Sequence, residues 1–334
     1  MTLYFGSYTR RLSAGIQSAD FDEKTGKLSN LKLLATEENP TYLAFSKAGN
    51  LYSVGAENSL GGIAAFTADF QPLNHVVAEG APLCYVAVDD ERNLVYGANY
   101  HKGQILSYKI EEDGSLSLAD TVQHLGAGPH TNQIAAHAHF ADLTPDKYLV
   151  TCDLGTDSII TYDVSEDGKL TQIGHYTSTA GAGPRHIVFH PTVKIAYLIC
   201  ELNATIEVLI YDGVGQFERL QTISTLPDDY TGANNTAAIR ISKDGKFVYA
   251  SNRGHDSIAI YRTLGDATLE LVTIQPSLGQ IPRDFNLVAD DRYLIVVHQD
   301  SDNAVVFERN SKTGLLTEIP QDFKVPEAVC ILEK

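Results

Sequence analysis

Tryptophan is absent from this chain of 334 residues, methionine occurs once, and the four cysteines stand far apart. None of the cysteines has a CxxC or Cys/His metal spacing, so we expect Cys84, Cys152, Cys200 and Cys330 to be small apolar side chains inside strands. Positive charge is scarce, with 25 Lys+Arg against 42 Asp+Glu and a net charge of −17. This balance disfavours binding to nucleic acid or to an anionic membrane, because both need a surplus of cations.

Long hydrophobic runs are also missing, since none approaches the roughly 18 residues of a membrane-spanning helix. The first residues, MTLYFGSYT, lack the basic start and apolar stretch of a secretory leader. Hydrophobic residues nevertheless make up 43% of the chain and charged residues 20%, as in folded proteins. These features predict a folded cytoplasmic protein whose partner is a small molecule, and nothing in the composition demands a protein partner.

The main pattern is a repeat of 44 to 54 residues, in which short β-branched and aromatic runs alternate with Gly, Asp and Asn turns. One anchor position per repeat falls at Tyr4, Tyr52, Tyr96, Val150, Tyr197, Tyr249 and Ile295. Each repeat contains four such runs, and turns such as EEDGSLS and SKTGLLT suit tight hairpins. Seven copies of four strands predict an all-β, seven-bladed β-propeller.

The two ends of the chain carry complementary parts of one repeat. The chain starts with a second strand, LYFGSYT, and its last run, EAVCIL, has the character of the missing first strand. We therefore expect the N- and C-terminal strands to share the first blade and close the ring without an open edge. No linker or change of composition marks a second domain, so residues 1–334 are predicted to form one propeller domain.

Propeller geometry brings the starts of the first strands and the ends of the second strands together at one mouth of the central channel. Polar residues are frequent at both positions, and such a convergence is the usual place for a binding site. The first strands contribute His137, Arg185, Asn235 and Arg283, and the second strands contribute Asn99, Asp153, Glu201, Asn252, Arg253 and His298. The sequence therefore predicts a polar, arginine-rich site at this mouth.

Familiar catalytic motifs such as GxSxG, HExxH and the P-loop are absent. His137 and His139 lie two residues apart, so one of them could act as a general base, both could bind a metal, or both could be structural. Arg185 and Arg283 each follow a proline, and their guanidinium groups suit a carboxylate or phosphate, with an inter-blade ion pair as the alternative. Asp153 is more typical of a turn cap than of a reacting group.

Several segments closely resemble the lactonase/cycloisomerase propeller family, which includes propeller-type 6-phosphogluconolactonases and carboxy-cis,cis-muconate cyclases. They include GAGPRHIVFHP, CELNATIEV, YASNRGHDSIAIY and PRDFNLVADDRYLIVVHQDSDNAVVF. The resemblance covers essentially the whole chain and implies a seven-bladed propeller acting on a lactone. By motif, the catalytic histidine, arginine and glutamate proposed for the family fall on His137, Arg185 and Glu201, while a further arginine matches Arg253 or Arg283.

The first hypothesis is therefore hydrolysis of 6-phospho-D-glucono-1,5-lactone to 6-phosphogluconate, a step of the pentose phosphate pathway, with no metal or organic cofactor. His137, Arg185 and Glu201 would be catalytic, and the substrate would contact Arg283, Arg253, His139, Asp153 and Asn252. Arginines cannot distinguish phosphate from carboxylate, so a cycloisomerase or a lactonase for another anionic lactone is the nearest alternative. A non-catalytic binding scaffold and a metal-dependent lactonase using His137 and His139 are the others.

Overall fold

Twenty-eight β-strands and no helix make up the computed structural model, which describes residues 1–334. The strands form seven antiparallel sheets of four, and the predicted seven-bladed propeller is confirmed. The first strands of neighbouring blades contact one another around a central channel. These innermost strands are β4 (Leu43–Phe45), β8 (Tyr85–Asp89), β12 (Ala138–Leu143), β16 (Pro184–Phe189), β20 (Asn235–Ile241), β24 (Pro282–Val288) and β28 (Ala328–Glu333). No helix able to cross a membrane is present.

The second strand of each blade carries the anchor predicted from the repeat. These strands are β1 (Thr2–Ser7), β5 (Leu51–Glu57), β9 (Leu94–Asn99), β13 (Leu149–Asp153), β17 (Ile195–Cys200), β21 (Phe247–Arg253) and β25 (Tyr293–His298). Every anchor except the half-buried Tyr4 is completely buried. Three anchors also join blades, because the hydroxyl groups of Tyr52, Tyr197 and Tyr249 donate to carbonyl oxygens in a hairpin turn of the next blade. An anchor therefore contributes both apolar burial and an inter-blade hydrogen bond.

The outer half of each blade is a hairpin that is increasingly exposed toward the rim. The third strands are β2 (Gly15–Asp22), β6 (Leu60–Phe66), β10 (Gln104–Ile110), β14 (Ser158–Val164), β18 (Thr205–Tyr211), β22 (Ser257–Thr263) and β26 (Ala304–Arg309). The outermost strands are β3 (Lys27–Thr36), β7 (Pro72–Ala78), β11 (Leu116–Gln123), β15 (Leu170–Thr177), β19 (Phe217–Ser224), β23 (Leu269–Pro276) and β27 (Leu316–Glu318).

The first blade is assembled from both ends of the chain, as expected. Its strand order is β28-β1-β2-β3, and the pairing of β28 with β1 runs from Leu3 opposite Glu333 to Ser7 opposite Ala328. Leu3, Phe5 and Ile331 belong to one buried cluster, so this closure is apolar as well as hydrogen-bonded.

Candidate active site

A cavity of about 350 Å³ lies where the innermost strands begin and the second strands end. Most of its wall is polar, and it contains three arginines, two histidines and one carboxylate. The lining residues are Tyr8, Arg10, Asn39, Thr41, Pro82, Leu83, Cys84, Tyr100, His101, His139, Glu201, Arg253 and Arg283. Beneath it, a recess of about 10 Å³ is lined by His139, Arg185, His186 and Arg283 among others. The predicted arginine-rich mouth is therefore a real concavity.

Three side chains of the cavity and its recess, those of His139, Arg185 and Arg283, lie at equivalent β-bulges. In β12, Ala138 pairs with Asp153 and Phe140 with Cys152, which leaves His139 as the extra residue. The same shift of register leaves Arg185 unpaired in β16 and Arg283 unpaired in β24. A bulge turns its extra residue out of the regular alternation, and bulges are frequent beside active sites. His139, and not His137, therefore shares the structural position of Arg185 and Arg283.

A second set of side chains comes from the ends of three second strands, where Arg253 is the last residue of β21, and Glu201 and Tyr100 directly follow β17 and β9. Cys200 is opposite Pro184 and Asn252 is opposite Thr236, so Glu201 and Arg253 occupy the next, equivalent position. Tyr100 follows Asn99 in the same way, and all three residues line the cavity. Because side chains alternate along an extended chain, the residue just before each of them points away from the cavity.

Glu201 holds two guanidinium groups with a single carboxylate oxygen. Its Oε2 accepts a hydrogen bond from Nε of Arg185 at 2.9 Å and lies 2.8 Å from Nη2 of Arg253. Burial opposes ionisation of Glu201, but Arg253 and Arg185 outweigh it and lower the pKa of this carboxyl group. Glu201 is therefore an anion that orients both arginines, and its carboxylate makes no hydrogen bond with His137 or His139.

Arg185 is almost completely buried and is held at three points. Besides Glu201, its Nη1 donates to the carbonyl oxygen of Ala237 at 2.6 Å and lies 3.3 Å from Nε2 of His186. Burial, reinforced by Arg253, lowers the pKa of Arg185 to about 9, which leaves the group protonated at neutral pH. Burial likewise lowers the pKa of Arg253, whose buried Nε has no hydrogen-bond partner. Two desolvated cations thus face one anion, which leaves an excess of positive charge.

His139 lies in the wall of the cavity as a neutral imidazole. Burial, together with Arg185 and Arg283, lowers the pKa of His139 well below its ordinary value. Its Nδ1 is buried without a hydrogen-bond partner, and the ring is 5.2 Å from that of His186. The same effects lower the pKa of His186. Because both rings are surrounded by guanidinium groups, protonation of either is unfavourable, and His139 is suited to hydrogen bonding rather than to accepting a proton.

His137 is not among the residues that line the cavity, but its half-buried ring stacks on Tyr100, which does line it. Its ring lies 4.4 Å from that of Tyr100 at an interplanar angle of 13°. Its Nδ1 is 2.9 Å from the carbonyl oxygen of Tyr100, and because that oxygen can only accept, Nδ1 carries the proton. Nε2 is then the unprotonated nitrogen of the neutral ring and bonds to no other group of the chain. This is the tautomer that a general base at Nε2 requires.

Asp153 and Asn252, predicted to contact the substrate, are fully buried away from the cavity. Asp153 accepts hydrogen bonds from the amides of His137, Gly155 and Thr156 through Oδ1, and Oδ2 is 2.8 Å from Nδ1 of His124. Asn252 bonds to Thr225, Asn234 and Ser257. Asp153 therefore caps the turn between β13 and β14, and Asn252 links the end of β21 to the loop that precedes β20.

Three other residues expected at this mouth also lie elsewhere. Asn99 bonds to Ala81 and Lys102, and Asn235 is exposed at the start of β20. His298 is fully buried, and burial lowers its pKa to about 4. No group of three or more His, Cys, Asp and Glu side chains is arranged to hold a metal ion.

Residues missed by the sequence analysis complete the site. Tyr8 and Arg10 reach the cavity from the loop after β1, Tyr100 occupies the position of Glu201, and Cys84 lies between Leu83 and the first residue of β8. Burial raises the pKa of the Cys84 thiol to about 12, so it is protonated and unreactive. Tyr100 could have been found by aligning the seven second strands, since it stands where Glu201 and Arg253 stand. Arg10 has no such signal, because the other blades lack an equivalent of its loop.

Aromatic rings form the floor under the recess. Tyr42 and Tyr85 lie 4.1 Å apart, and Tyr85 contacts Phe140 at 4.6 Å and His186 at 5.4 Å between ring centroids. The hydroxyl of Tyr85 donates to Asp142. The site is therefore a cavity with a cationic wall and aromatic rings beneath its recess, in a seven-bladed propeller. These features define the class of the protein as a seven-bladed propeller with a cationic cavity at one mouth of its channel.

Comparison with known proteins supports and narrows this class. Residues 2–333 match the family model described as "Lactonase, 7-bladed beta-propeller". The 6-phosphogluconolactonase of Bacillus subtilis is 40% identical over 339 residues, covering 98% of this chain and 97% of that protein. A crystal structure from Lactobacillus plantarum has a TM-score of 0.97 at 45% identity, covering 99% of both chains. The periplasmic gluconolactonase of Pseudomonas aeruginosa has a TM-score of 0.92 at 25% identity, covering 99% of this chain and 98% of its own.

The chain belongs to the lactonase family of seven-bladed β-propellers. The resemblance recognised from the sequence motifs is thereby confirmed over essentially the whole chain. Membership identifies the protein as an enzyme of the lactone-hydrolysing class of carboxylic ester hydrolases.

Proposed function

We propose that the protein hydrolyses 6-phospho-D-glucono-1,5-lactone to 6-phosphogluconate. The observation that carries this proposal is the positive charge of the cavity and its recess in a protein of net charge −17. Arg185 and Arg253 share the carboxylate of Glu201, and Arg283 has no ion pair. The other carboxylate of the recess, that of Asp284, is already paired with Arg240. A phosphorylated lactone supplies the missing negative charge, and the name of the Bacillus subtilis relative supports the same substrate.

In the proposed reaction, a water molecule attacks the lactone carbonyl while Nε2 of His137 accepts its proton. Arg185 stabilises the oxyanion, the ring C–O bond then breaks, and the leaving ring oxygen takes the proton from His137. The immediate product is the open-chain carboxylic acid, which releases its proton to solvent and becomes the carboxylate. General-base assistance contributes about 10²–10⁴-fold, and one donor to an oxyanion contributes about 10²–10³-fold. A lactone is already a reactive ester, so neither a metal nor an organic cofactor is required.

The remaining residues have supporting roles in this proposal. Glu201 orients Arg185 and Arg253, and His139 donates or accepts a hydrogen bond as a neutral ring. Arg253 and Arg283 bind the anionic substituent of the substrate. A sugar phosphate does not cross a membrane unaided, so we place the enzyme in the cytoplasm and the reaction in the pentose phosphate pathway. The only partner proposed is this small anionic sugar lactone, with no nucleic acid and no membrane.

The test is the decay of freshly prepared 6-phosphogluconolactone with and without protein, coupled to 6-phosphogluconate dehydrogenase. We expect a rate well above spontaneous hydrolysis. His137→Gln should lower kcat at least about 100-fold by the loss of the general base, whereas His139→Gln should act mainly on KM. Arg185→Ala should abolish the acceleration, and far-ultraviolet circular dichroism would verify its fold. Arg262→Gln removes an exposed arginine far from the cavity and is the matched control.

Absence of acceleration by the wild-type protein would reject this substrate. Glucono-1,5-lactone and carboxylated lactones, assayed in parallel, would then distinguish a lactonase for another lactone or a cycloisomerase from a binding scaffold. Wild-type rates in both His137→Gln and Arg185→Ala would reject the proposed roles.

A further inference from the structure

Two arginines at the rim of the cavity differ from every other arginine of the chain. Of eleven arginines, only Arg10 and Arg283 have guanidinium groups that form no hydrogen bond and no ion pair within the protein. Both line the same cavity. In a chain with 42 acidic residues, two unpaired guanidinium groups at one place leave a local positive charge without a counter-ion.

Both groups are arranged around one aromatic ring. The guanidinium carbon of Arg10 lies 3.9 Å from the centroid of the Tyr8 ring, and that of Arg283 lies 5.8 Å from it. A cation over an aromatic face is stabilised by the ring, and stacking limits its rotation while leaving the N–H groups at the edge of the guanidinium plane free. Tyr8 therefore holds the two guanidinium groups, each a planar set of N–H donors, close to each other.

The loop that carries Tyr8 and Arg10 is fixed by a buried carboxylate from the other end of the chain. Glu327 accepts hydrogen bonds from the backbone amides of Arg10, Arg11, Leu12 and Ser13 at 2.8 to 3.1 Å. On the other side, Thr9 and Asn39 exchange two hydrogen bonds between backbone amides and side-chain oxygens. Although the side chain of Arg10 is exposed, its backbone is thus preorganised at the cavity.

From this arrangement we infer that Arg10 and Arg283, joined by Tyr8, form a subsite selective for the phosphate of the substrate, with Arg10 as its specificity-determining residue. A dianionic phosphate monoester offers three oxygens to two forks of donors, which is the geometry that arginine recognises best. The inference rests on the proposed lactonase function, which it deepens. Arg185 and Arg253 are already partly neutralised by Glu201, so Arg10 and Arg283 add to Arg253 the two cations that have no counter-ion within the protein.

The test compares kcat/KM for 6-phosphogluconolactone with that for glucono-1,5-lactone in the wild type, Arg10→Gln and Arg283→Gln. Loss of a charge-assisted hydrogen bond should reduce the ratio of the two values about tenfold or more in Arg10→Gln. Arg10→Lys should recover only part of it, because lysine keeps the charge without the planar fork. Arg262→Gln, which loses the same charge elsewhere, should keep the wild-type ratio. An unchanged ratio in Arg10→Gln, or an equal loss on both lactones, would overturn the inference.

Calorimetric binding of 6-phosphogluconate and of gluconate separates this inference from the proposed function, because it needs no turnover. We expect the phosphorylated ligand to bind more tightly to the wild type, and Arg10→Gln to remove most of that preference. If no lactone is hydrolysed but this preference is seen and lost in the variant, the function is wrong and the phosphate subsite stands. If wild type and Arg10→Gln bind 6-phosphogluconate equally, the subsite is wrong.

Discussion

At the scale of single residues, the site depends on how one carboxylate is shared. Oε2 of Glu201 serves both Arg185 and Arg253, while Oε1 accepts no hydrogen bond from the chain. Desolvating a guanidinium is costly unless a counter-charge accompanies it. Glu201 therefore makes it possible for two cations to lie at the cavity and its recess, already oriented for the proposed substrate.

Replacing Glu201 with Gln should destabilise the fold and make it dependent on added anions. Removal of one member of a buried ion pair costs about 3–5 kcal/mol, and we expect about 3 kcal/mol here because the side chain of Glu201 is 15% exposed. Phosphate should restore part of the loss by taking the place of the carboxylate. The measurement is urea denaturation at neutral pH with and without phosphate. Glu308→Gln is the control, because its pair with Arg292 is half-exposed, and such pairs contribute about 1 kcal/mol or less. A Glu201→Gln variant as stable as this control would contradict the prediction.

The two histidines show what residue types alone cannot tell. His137 and His139 are both plausible bases in the sequence, and their spacing of two suggests the same face. The bulge at His139 breaks that alternation, so one ring enters the cationic wall while the other stacks on Tyr100. Their different surroundings, and not their identities, make one a neutral hydrogen-bonding group and the other the proposed base.

At the scale of strands and loops, the sequence predicted the strands well and the orientation of their ends poorly. Buried anchors such as Tyr249 recur because each blade needs the same apolar layer, and this repeat can be recognised in the amino-acid sequence. Whether Asn252 or Arg253 faces the cavity depends on the register of a ladder and on a bulge, which involve hydrogen bonds between distant segments. Arg10 was missed because its loop is held by Glu327, more than 300 residues away.

The loop bearing Arg10 should lose its support in acid. Burial opposes ionisation of Glu327, but four backbone amides more than compensate and lower its pKa. A carboxyl group whose folded pKa is below its unfolded value of about 4.3 stabilises the fold above that value, and this contribution is lost as the pH falls through the folded pKa. Glu327→Gln should therefore be less stable than the wild type at neutral pH by about 1–3 kcal/mol. The difference should shrink in acid.

Unfolding free energies of the wild type and Glu327→Gln, measured from neutral pH downward, test this. Glu318→Gln is a suitable control, because Glu318 is exposed and makes no ion pair. A difference between wild type and Glu327→Gln that does not change with pH would exclude the carboxylate as the source. The selectivity attributed to Arg10 should weaken in Glu327→Gln, since glutamine offers the amides of this loop one oxygen instead of two.

At the scale of the whole molecule, stability depends on a ring closed by strand pairing rather than by a covalent bond. The innermost strand of the first blade, β28, pairs with β1, and the amide of Ile331 also donates to the buried Asp284 of the seventh blade. The C-terminal strand thus joins the first and last blades from inside the channel. The same segment supplies Val329 to the recess and is preceded by Glu327, so ring closure and assembly of the site are coupled.

Removing residues 328–334 should abolish cooperative folding. The truncation leaves the edge of β1 unpaired and exposes Leu3 and Phe5, both fully buried in the intact protein, and such an edge promotes aggregation.

A circular permutant distinguishes loss of the strand from loss of closure. In it, a short Gly/Ser linker joins Lys334 to Met1 and new termini open between the exposed Asp228 and Asp229, so that every blade is built from consecutive strands. We expect this permutant to fold and to keep the site, but to unfold faster than the wild type, because no strand now crosses the junction of the fifth and sixth blades. Circular dichroism and unfolding kinetics in urea measure both effects. A truncated chain that still unfolds in one sharp transition, or a permutant that unfolds as slowly as the wild type, would show that strand exchange between the ends is not what keeps the ring closed.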